Sequence, residues 1–289
     1  MMRLVRTKAA PVLAVLAAVV VVWYAAAVLL NLGLARSLAD EGATSWDVVQ
    51  STLALDRPLL PAPHQIAGEM WGSIFDEPVN GPKSLLYHAS VTAAAAGAGF
   101  VFAVMLGIVL AVGIVHLRVL ERSLMLWIIA SQTVPVLAIA PMVVVALGNI
   151  GLTGLLPKAL ISGYLSFFPI VTGMVKGLRS PDPLQRDLMR TYSASEAQVF
   201  RLLRWPASMG FLFPSVKVAA SLALVGAIVA ELPTGAQAGL GAWLLTGSYY
   251  GQTLMIWSAL IAAALLALLA IAAVDLAQAA LVARRGGRL

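Results

Sequence analysis

Six apolar segments, each near or above the ~20 residues that cross a hydrocarbon core, leave this chain few folds to choose from. They fall at about 11–32, 86–115, 124–148, 153–176, 208–231 and 254–282. Inside lipid every backbone amide must be satisfied within the protein, and apolar runs of this length achieve that as helices. The expected fold is all-α and polytopic, with about six transmembrane helices. Composition agrees. Hydrophobic residues make up 61% of the chain and charged ones 11%, against about 45–50% and about 25% in soluble domains.

Several chemistries are excluded at once. There is no cysteine, so neither a disulfide framework nor a thiolate site can form. His64, His88 and His116 share no metal-ligand spacing, and no metal site is expected. The net charge of +6 sits at the ends of apolar runs rather than on a basic stripe with interleaved aromatics, which argues against a nucleic-acid partner. No H-E-x-x-H, no G-x-S-x-G and no pair of aspartates within the spans supports an intramembrane enzyme. No G-x-x-x-x-G-K-[ST] is present to cradle a nucleotide phosphate, so no cofactor is expected on this chain itself.

Lysine and arginine mark the cytoplasmic loops. Arg3, Arg6 and Lys8 precede the first span. Arg118 and Arg122 follow the second, and Lys176, Arg179, Arg186, Arg190, Arg201 and Arg204 follow the fourth. Arg284, Arg285 and Arg288 follow the last. On the other side, residues 33–85 carry Arg36, Arg57 and Lys83 against seven acids, and residues 232–253 carry no basic residue. Both termini are therefore expected in the cytoplasm. The first apolar run has a core of about 22 residues, too long for the h-region of a signal peptide, and reads as an anchor helix.

The chain is expected to divide into an anchor helix at 1–32, an extracytoplasmic segment at 33–85 and a core of five spans at 86–289. In the second part, Pro61 and Pro63 are breakers, after which Ile66, Met70, Trp71, Ile74 and Phe75 recur at helical spacing. That helix lies either along the membrane interface or on neighbouring spans. Residues 232–252, rich in glycine and small residues, are either a close-packed outer gate or a plain connection.

The most charged stretch, Asp187 to Pro206, is flanked by helix signals at 182–206. Asp182, Pro183 and Gln185 make an N-cap, a first-turn proline and a capping glutamine, and Ser195 with Gln198 offers a second box. Val199, Leu202 and Leu203 mark the apolar side of the second helix, which is expected to reach about Trp205 and to stop or bend at Pro206. Two short helices under the bilayer make a knob suited to a cleft on a cytoplasmic partner. The alternative is a solvated loop whose arginines only enforce topology.

Polar groups within the spans are costly and mark function by default. Ser131, Gln132 and Thr133 precede Pro135 in the third span, where a helix irregularity could open a cavity. With Lys217 and Glu231 they are the candidate translocation path. Lys217 also has a structural reading, as a partner of Asp275 or of a backbone carbonyl. Gly173 and Gly177 favour close helix packing.

The Asp187–Pro206 stretch resembles the cytoplasmic loop of permease subunits of binding-protein-dependent ATP-binding-cassette (ABC) importers, with its pattern E-A-A, three residues, Gly, nine residues, I-x-L-P. Leu203-Arg204-Trp205-Pro206 takes the last place, Ser193 the glycine place and Asp187-Leu188-Met189 the first. "SQTVPVLAIAPMVVVALG", "SFFPIVTGMVKGLRSPDP" and "KVAASLALVGAIVAEL" resemble the nitrate, sulfonate, taurine and pyrimidine-precursor group, the last two leaning toward importers of pyrimidine-like N-heterocycles. The resemblance implies a type I importer permease in the lipid bilayer of a bacterial plasma (inner) membrane. It implies a second permease copy, as homodimer or heterodimer. It also implies two ATPase subunits holding ATP and Mg, and an extracytoplasmic substrate-binding protein. Asp187, Arg190, Ser193, Ala194, Ser195, Glu196, Val199, Phe200 and Pro206 would then couple the ATPase to the spans. Sulfonate, taurine or nitrate is the alternative solute. An ion-coupled secondary carrier is the alternative mechanism, although no clear internal repeat supports it.

Overall fold

A computed structural model describes residues 2–40, 42–232 and 238–284, with side chains from Ala10 onward. Glu41, residues 233–237, Arg285 and Arg288 lie outside the described residues, as do the side chains of Arg3, Arg6 and Lys8. The described chain is all-helical, and five of its helices are long and apolar enough to cross a membrane. The sixth expected span is present as two half-helices. The chain divides into two compact units, residues 1–87 with 243–262 and residues 88–242 with 263–289.

In the first unit, α1 (Met2–Leu38) is followed by α2 (Ser45–Thr52) and α3 (Pro63–Trp71), which runs on into a π-helical turn at Gly72–Asp76. Thr44 and Asp47 close a capping box on α2, and the Thr44 hydroxyl and amide that donate to Asp47 hold its carboxyl below the usual carboxylate range. The breaker segment before α3 is fastened by side chains rather than by ladders. Asn31, fully buried on α1, accepts from the amides of Leu59 (2.7 Å) and Leu60 (3.3 Å) and donates to the Leu60 carbonyl (2.9 Å). Trp23 Nε1 donates to the Pro61 carbonyl at 3.0 Å, and Thr253 Oγ1 to that of Pro58 at 2.7 Å. Each of these satisfies a backbone group that proline geometry leaves without a helical partner. On α3, Ile66 is buried, while Trp71 and Phe75 are exposed and in ring contact at 4.3 Å. The helical spacing read from sequence therefore splits between a packed side and an open one.

The second unit contains most of α4 (Leu85–His116), then α5 (Arg118–Ser131), α6 (Val136–Asn149), α7 (Leu155–Leu178), α8 (Pro183–Thr191), α9 (Glu196–Val199), a π-helical turn (Phe200–Arg204) and α10 (Trp205–Glu231). It also takes the start of α11 (Leu240–Tyr249) and the later part of α12 (Thr253–Arg284). The core is an antiparallel seam of α7 and α10, joined by α4: Ile170, Val171, Met174 and Leu178 meet Met209, Leu212, Ala219, Ala103 and Ala111. Small residues bring these backbones together, as they must where lipid supplies no hydrophobic drive. Gly177 faces Ser208, Gly173 faces Ser215 and Gly226 faces Ser162, so small residues recur along the length of the α7–α10 seam. On α4, Gly99 and Gly107 lie against Ser162 and Ile170, with Ala103 and Ala111 completing a four-residue repeat. The packing expected of Gly173 and Gly177 is present, and the α4 repeat extends it.

Two expectations need correction. The third span is not one rod: α5 and α6 meet at 99°. Ser131 Oγ and Thr133 Oγ1 donate to the carbonyls of Ile128 and Ala130, both at 2.7 Å, and close α5. Pro135, with no N–H to offer the preceding turn, opens α6. Conversely, the helix through Pro206 does not stop. Glu196–Glu231 runs as one helix, because the π-helical turn at Phe200–Arg204 absorbs the proline. There the Trp205 amide reaches back to the Phe200 carbonyl, and such a wide turn accommodates an irregular residue without ending the helix.

Candidate functional site

The cytoplasmic helix pair is built by its caps. Leu184 N–H donates to Asp182 Oδ1 at 2.7 Å and Asp182 N–H to Gln185 Oε1 at 3.2 Å, with Pro183 in the first turn of α8. At α9, Ser195 N–H donates to Gln198 Oε1 at 2.7 Å and Gln198 N–H to Ser195 Oγ at 3.3 Å. Between them the Ala194 amide bonds the Met189 carbonyl (3.0 Å) and the Ser193 amide that of Arg190 (2.8 Å), the pattern of a Schellman turn. Ser193 occupies its left-handed position, with φ of +54°, the one non-glycine residue at positive φ among the described residues. This explains in physical terms why the importer pattern has glycine there. A left-handed residue with a Cβ costs about 1 kcal/mol. Ser193→Gly is accordingly expected to raise the stability of the purified chain by about 0.5–1 kcal/mol. Ser193→Val should lower it, and thermal unfolding in detergent distinguishes the two.

The knob has an anchored side and an open side. Val199 is buried, and Phe200 packs against Trp205 (5.9 Å) and edge-on against His116 at the end of α4 (5.3 Å). Asp187, Arg190, Ser193, Ser195 and Glu196 are exposed; Ala194 and Pro206 are half-buried. Sequence reading placed the apolar side on the second helix. The structure adds an open apolar stripe on the first: Leu184, Leu188 and Tyr192 are 77%, 57% and 78% exposed. Their four-residue spacing was the available signal. Beside the knob, Arg179 at the end of α7 pairs with Glu121 of α5 at 2.9 Å. Both are about half exposed, so this contact contributes under about 1 kcal/mol.

A second polar cluster lies at the α5–α6 break. Gln132, Thr133 and Pro135 are exposed and Ser131 half-buried. Gln132 Nε2 reaches Ser131 Oγ at 3.3 Å, and the Tyr164 hydroxyl of α7 donates to the Ser131 carbonyl. Lys217, half-buried on α10, forms the ion pair with Asp275 of α12 that its structural reading expected.

The third cluster surrounds Glu231, which is fully buried. Its carboxylate lies 3.4 Å from Lys158 Nζ, accepts from the Thr92 hydroxyl at 2.9 and 3.1 Å and accepts from the Gly241 amide at 2.9 Å. Lys158 was missed as a site residue, although a charge inside the apolar run 153–176 was the signal. Each site is held by its own contacts.

Residues 103–287 match the family model described as the binding-protein-dependent transport system inner membrane component. The knob, the α5–α6 break and Glu231 all lie within that match. The chain is 32% identical over 214 residues to a riboflavin transport system permease protein of Chloroflexus aurantiacus, covering 73% of this chain and 74% of that protein. It is 30% identical over 198 residues to a formylaminopyrimidine transport permease protein of Halalkalibacterium halodurans, covering 68% and 73%.

Proposed function

The chain belongs to the family of inner membrane components of binding-protein-dependent transport systems and is a multi-pass plasma-membrane permease of an ABC importer; from that premise we propose that it carries a pyrimidine-like N-heterocycle. The solute is handed over by an extracytoplasmic binding protein, and two copies of the chain, or this chain with a related one, enclose the path. The substrate reading is supported by the two relatives, which are named for riboflavin and formylaminopyrimidine transport. Both names denote solutes that carry a nitrogen heterocycle. ATP and Mg belong to two partner ATPase subunits, which dock beneath.

The observation that carries the coupling assignment is the doubly capped, largely exposed knob whose second helix runs without a break into α10. A partner cleft takes Leu184, Leu188 and Tyr192 as its apolar anchor. Asp187, Arg190, Ser195 and Glu196 form the polar rim, and Val199, Phe200 and Pro206 fix the knob to the spans. ATPase closure moves the knob, and a helix of 36 residues carries the displacement about 54 Å at 1.5 Å per residue. Ser131, Gln132, Thr133 and Pro135, at the helix break, offer the solute exposed hydroxyl, amide and backbone groups. Lys217 tunes the same path through its pair with Asp275. Glu231 acts on the path from the outer end.

The solute assignment is tested by a thermal-shift screen of the partner binding protein against pyrimidines, flavins, sulfonates and nitrate. Stabilisation by heterocycles is the expected result. Stabilisation by taurine or nitrate alone would assign the sulfonate-type alternative instead.

A further inference from the structure

The start of α11 is an N-terminus whose first amides have no helical acceptor. Here the acceptors come from other helices. The Gly239 amide donates to His88 Nδ1 at 3.0 Å, the Leu240 amide to Thr92 Oγ1 at 2.8 Å and the Gly241 amide to Glu231 at 2.9 Å. Lys158 Nζ donates to the Ala238 carbonyl at 2.9 Å. His88 and Thr92 stand one turn apart on α4, Lys158 is on α7 and Glu231 ends α10. Glu231 therefore caps α11 from outside it and neutralises Lys158, while Thr92 donates to the carboxylate and accepts from Leu240. The approach is close enough to require glycine. Gly239 has φ of +125°, and a Cβ on it would fall on the Glu231 carboxylate; one on Gly241 would fall on the Ile228 carbonyl.

We infer that His88, Thr92, Lys158 and Glu231 form a permanent clasp holding residues 238–241 to α4, α7 and α10, so that this short segment moves with the helix that ends in the cytoplasmic knob. These are positioning residues for transport, and the inference rests on the importer reading. A latch that opened would expose an unpaired carboxylate and an unpaired ammonium where water is scarce, and such groups are costly there. A clasp that stays shut makes the knob and residues 238–241 two ends of one body. Docking of a binding protein on the outer side is then felt at the ATPase without a separate relay.

The test uses the full importer complex in lipid nanodiscs, read as ATPase activity with and without solute-loaded binding protein. Glu231→Ala should reduce the ratio of binding-protein-stimulated to basal ATPase activity roughly tenfold. Glu231→Gln keeps an acceptor for Gly241 and Thr92 while losing the charge pair, and should fall between. Stimulation unchanged in both variants would overturn the inference. Because the chain has no cysteine, a spin-label pair at Val225 and Ala238 is specific and reads the clasp even where Glu231→Ala does not assemble. An unchanged distance between nucleotide-free and ATP-trapped states supports the clasp, and a separation of several ångströms would overturn it. If the unaltered complex shows no stimulation by any loaded binding protein, the importer reading fails, and the label distance still reads the clasp.

Discussion

Replacing Gly226 with valine is expected to force α7 and α10 apart and to lower stability by about 3 kcal/mol. A Cβ at Gly226 would sit 2.7 Å from the Ser162 Cα, 3.2 Å from the Ile161 carbonyl and 3.3 Å from the Ser162 amide. All three are backbone atoms, so no side chain can swing aside. The Ser162 hydroxyl also bonds the Ala223 carbonyl at 2.8 Å, and separation of the helices would break that bond as well. Gly210, on the same helix, provides the control, because nothing lies within 4 Å of a Cβ built there. Gly210→Ala is expected to be neutral or to stabilise by up to about 1 kcal/mol, since alanine is the better helix former. Thermal unfolding in detergent separates the two. Equal effects at both positions would mean that the α7–α10 seam is not what holds the core.

Leu188→Asp is expected to weaken binding of the partner ATPase by roughly a hundredfold, because it removes the middle of an apolar stripe and puts a charge into the cleft. Glu196→Arg, which reverses a rim charge at the start of α9, should reduce assembly less. Leu188 is 57% exposed and has no place in the core, so the chain itself should fold and insert as before. Co-purification with the tagged ATPase measures the loss, and thermal unfolding of the permease alone supplies the control. Full assembly and full uptake in Leu188→Asp would remove the α8 stripe from the docking surface.

Local signals were legible. Asp182, Pro183 and Gln185 specify the start of α8 within four residues, and Ser195 with Gln198 does the same for α9, because a cap is a contact between near neighbours. The six apolar runs were legible for the same reason: length and hydropathy are properties of one segment. The contacts that make the outer cluster were not. Glu231 could be recognised as a charge in a span, but its partners Lys158 and Thr92 are 73 and 139 residues away in sequence, and no local pattern pairs them. The fold-back of 53–62 onto Asn31 escaped notice because side chains hold its backbone without any periodicity. Pro206 shows the limit of a single-residue rule. Proline predicts a break, but whether the chain ends the helix or widens a turn depends on the packing of Phe200 and Trp205 around it. Ser193 shows the reverse case. The departure from glycine was visible in sequence, and the left-handed turn gave it a conformational cost.

On the proposed function, ATP hydrolysed by a partner acts through the 182–206 knob and moves this chain to import solute. The most direct measurement is uptake of labelled solute by proteoliposomes containing the chain and its ATPase, with solute-loaded binding protein on one side and ATP on the other. Uptake is expected to require both ATP and binding protein, to survive ionophores that collapse every ion gradient, and to be lost in Leu188→Asp. Uptake by the chain alone that follows an imposed ion gradient and ignores ATP would contradict the proposed function.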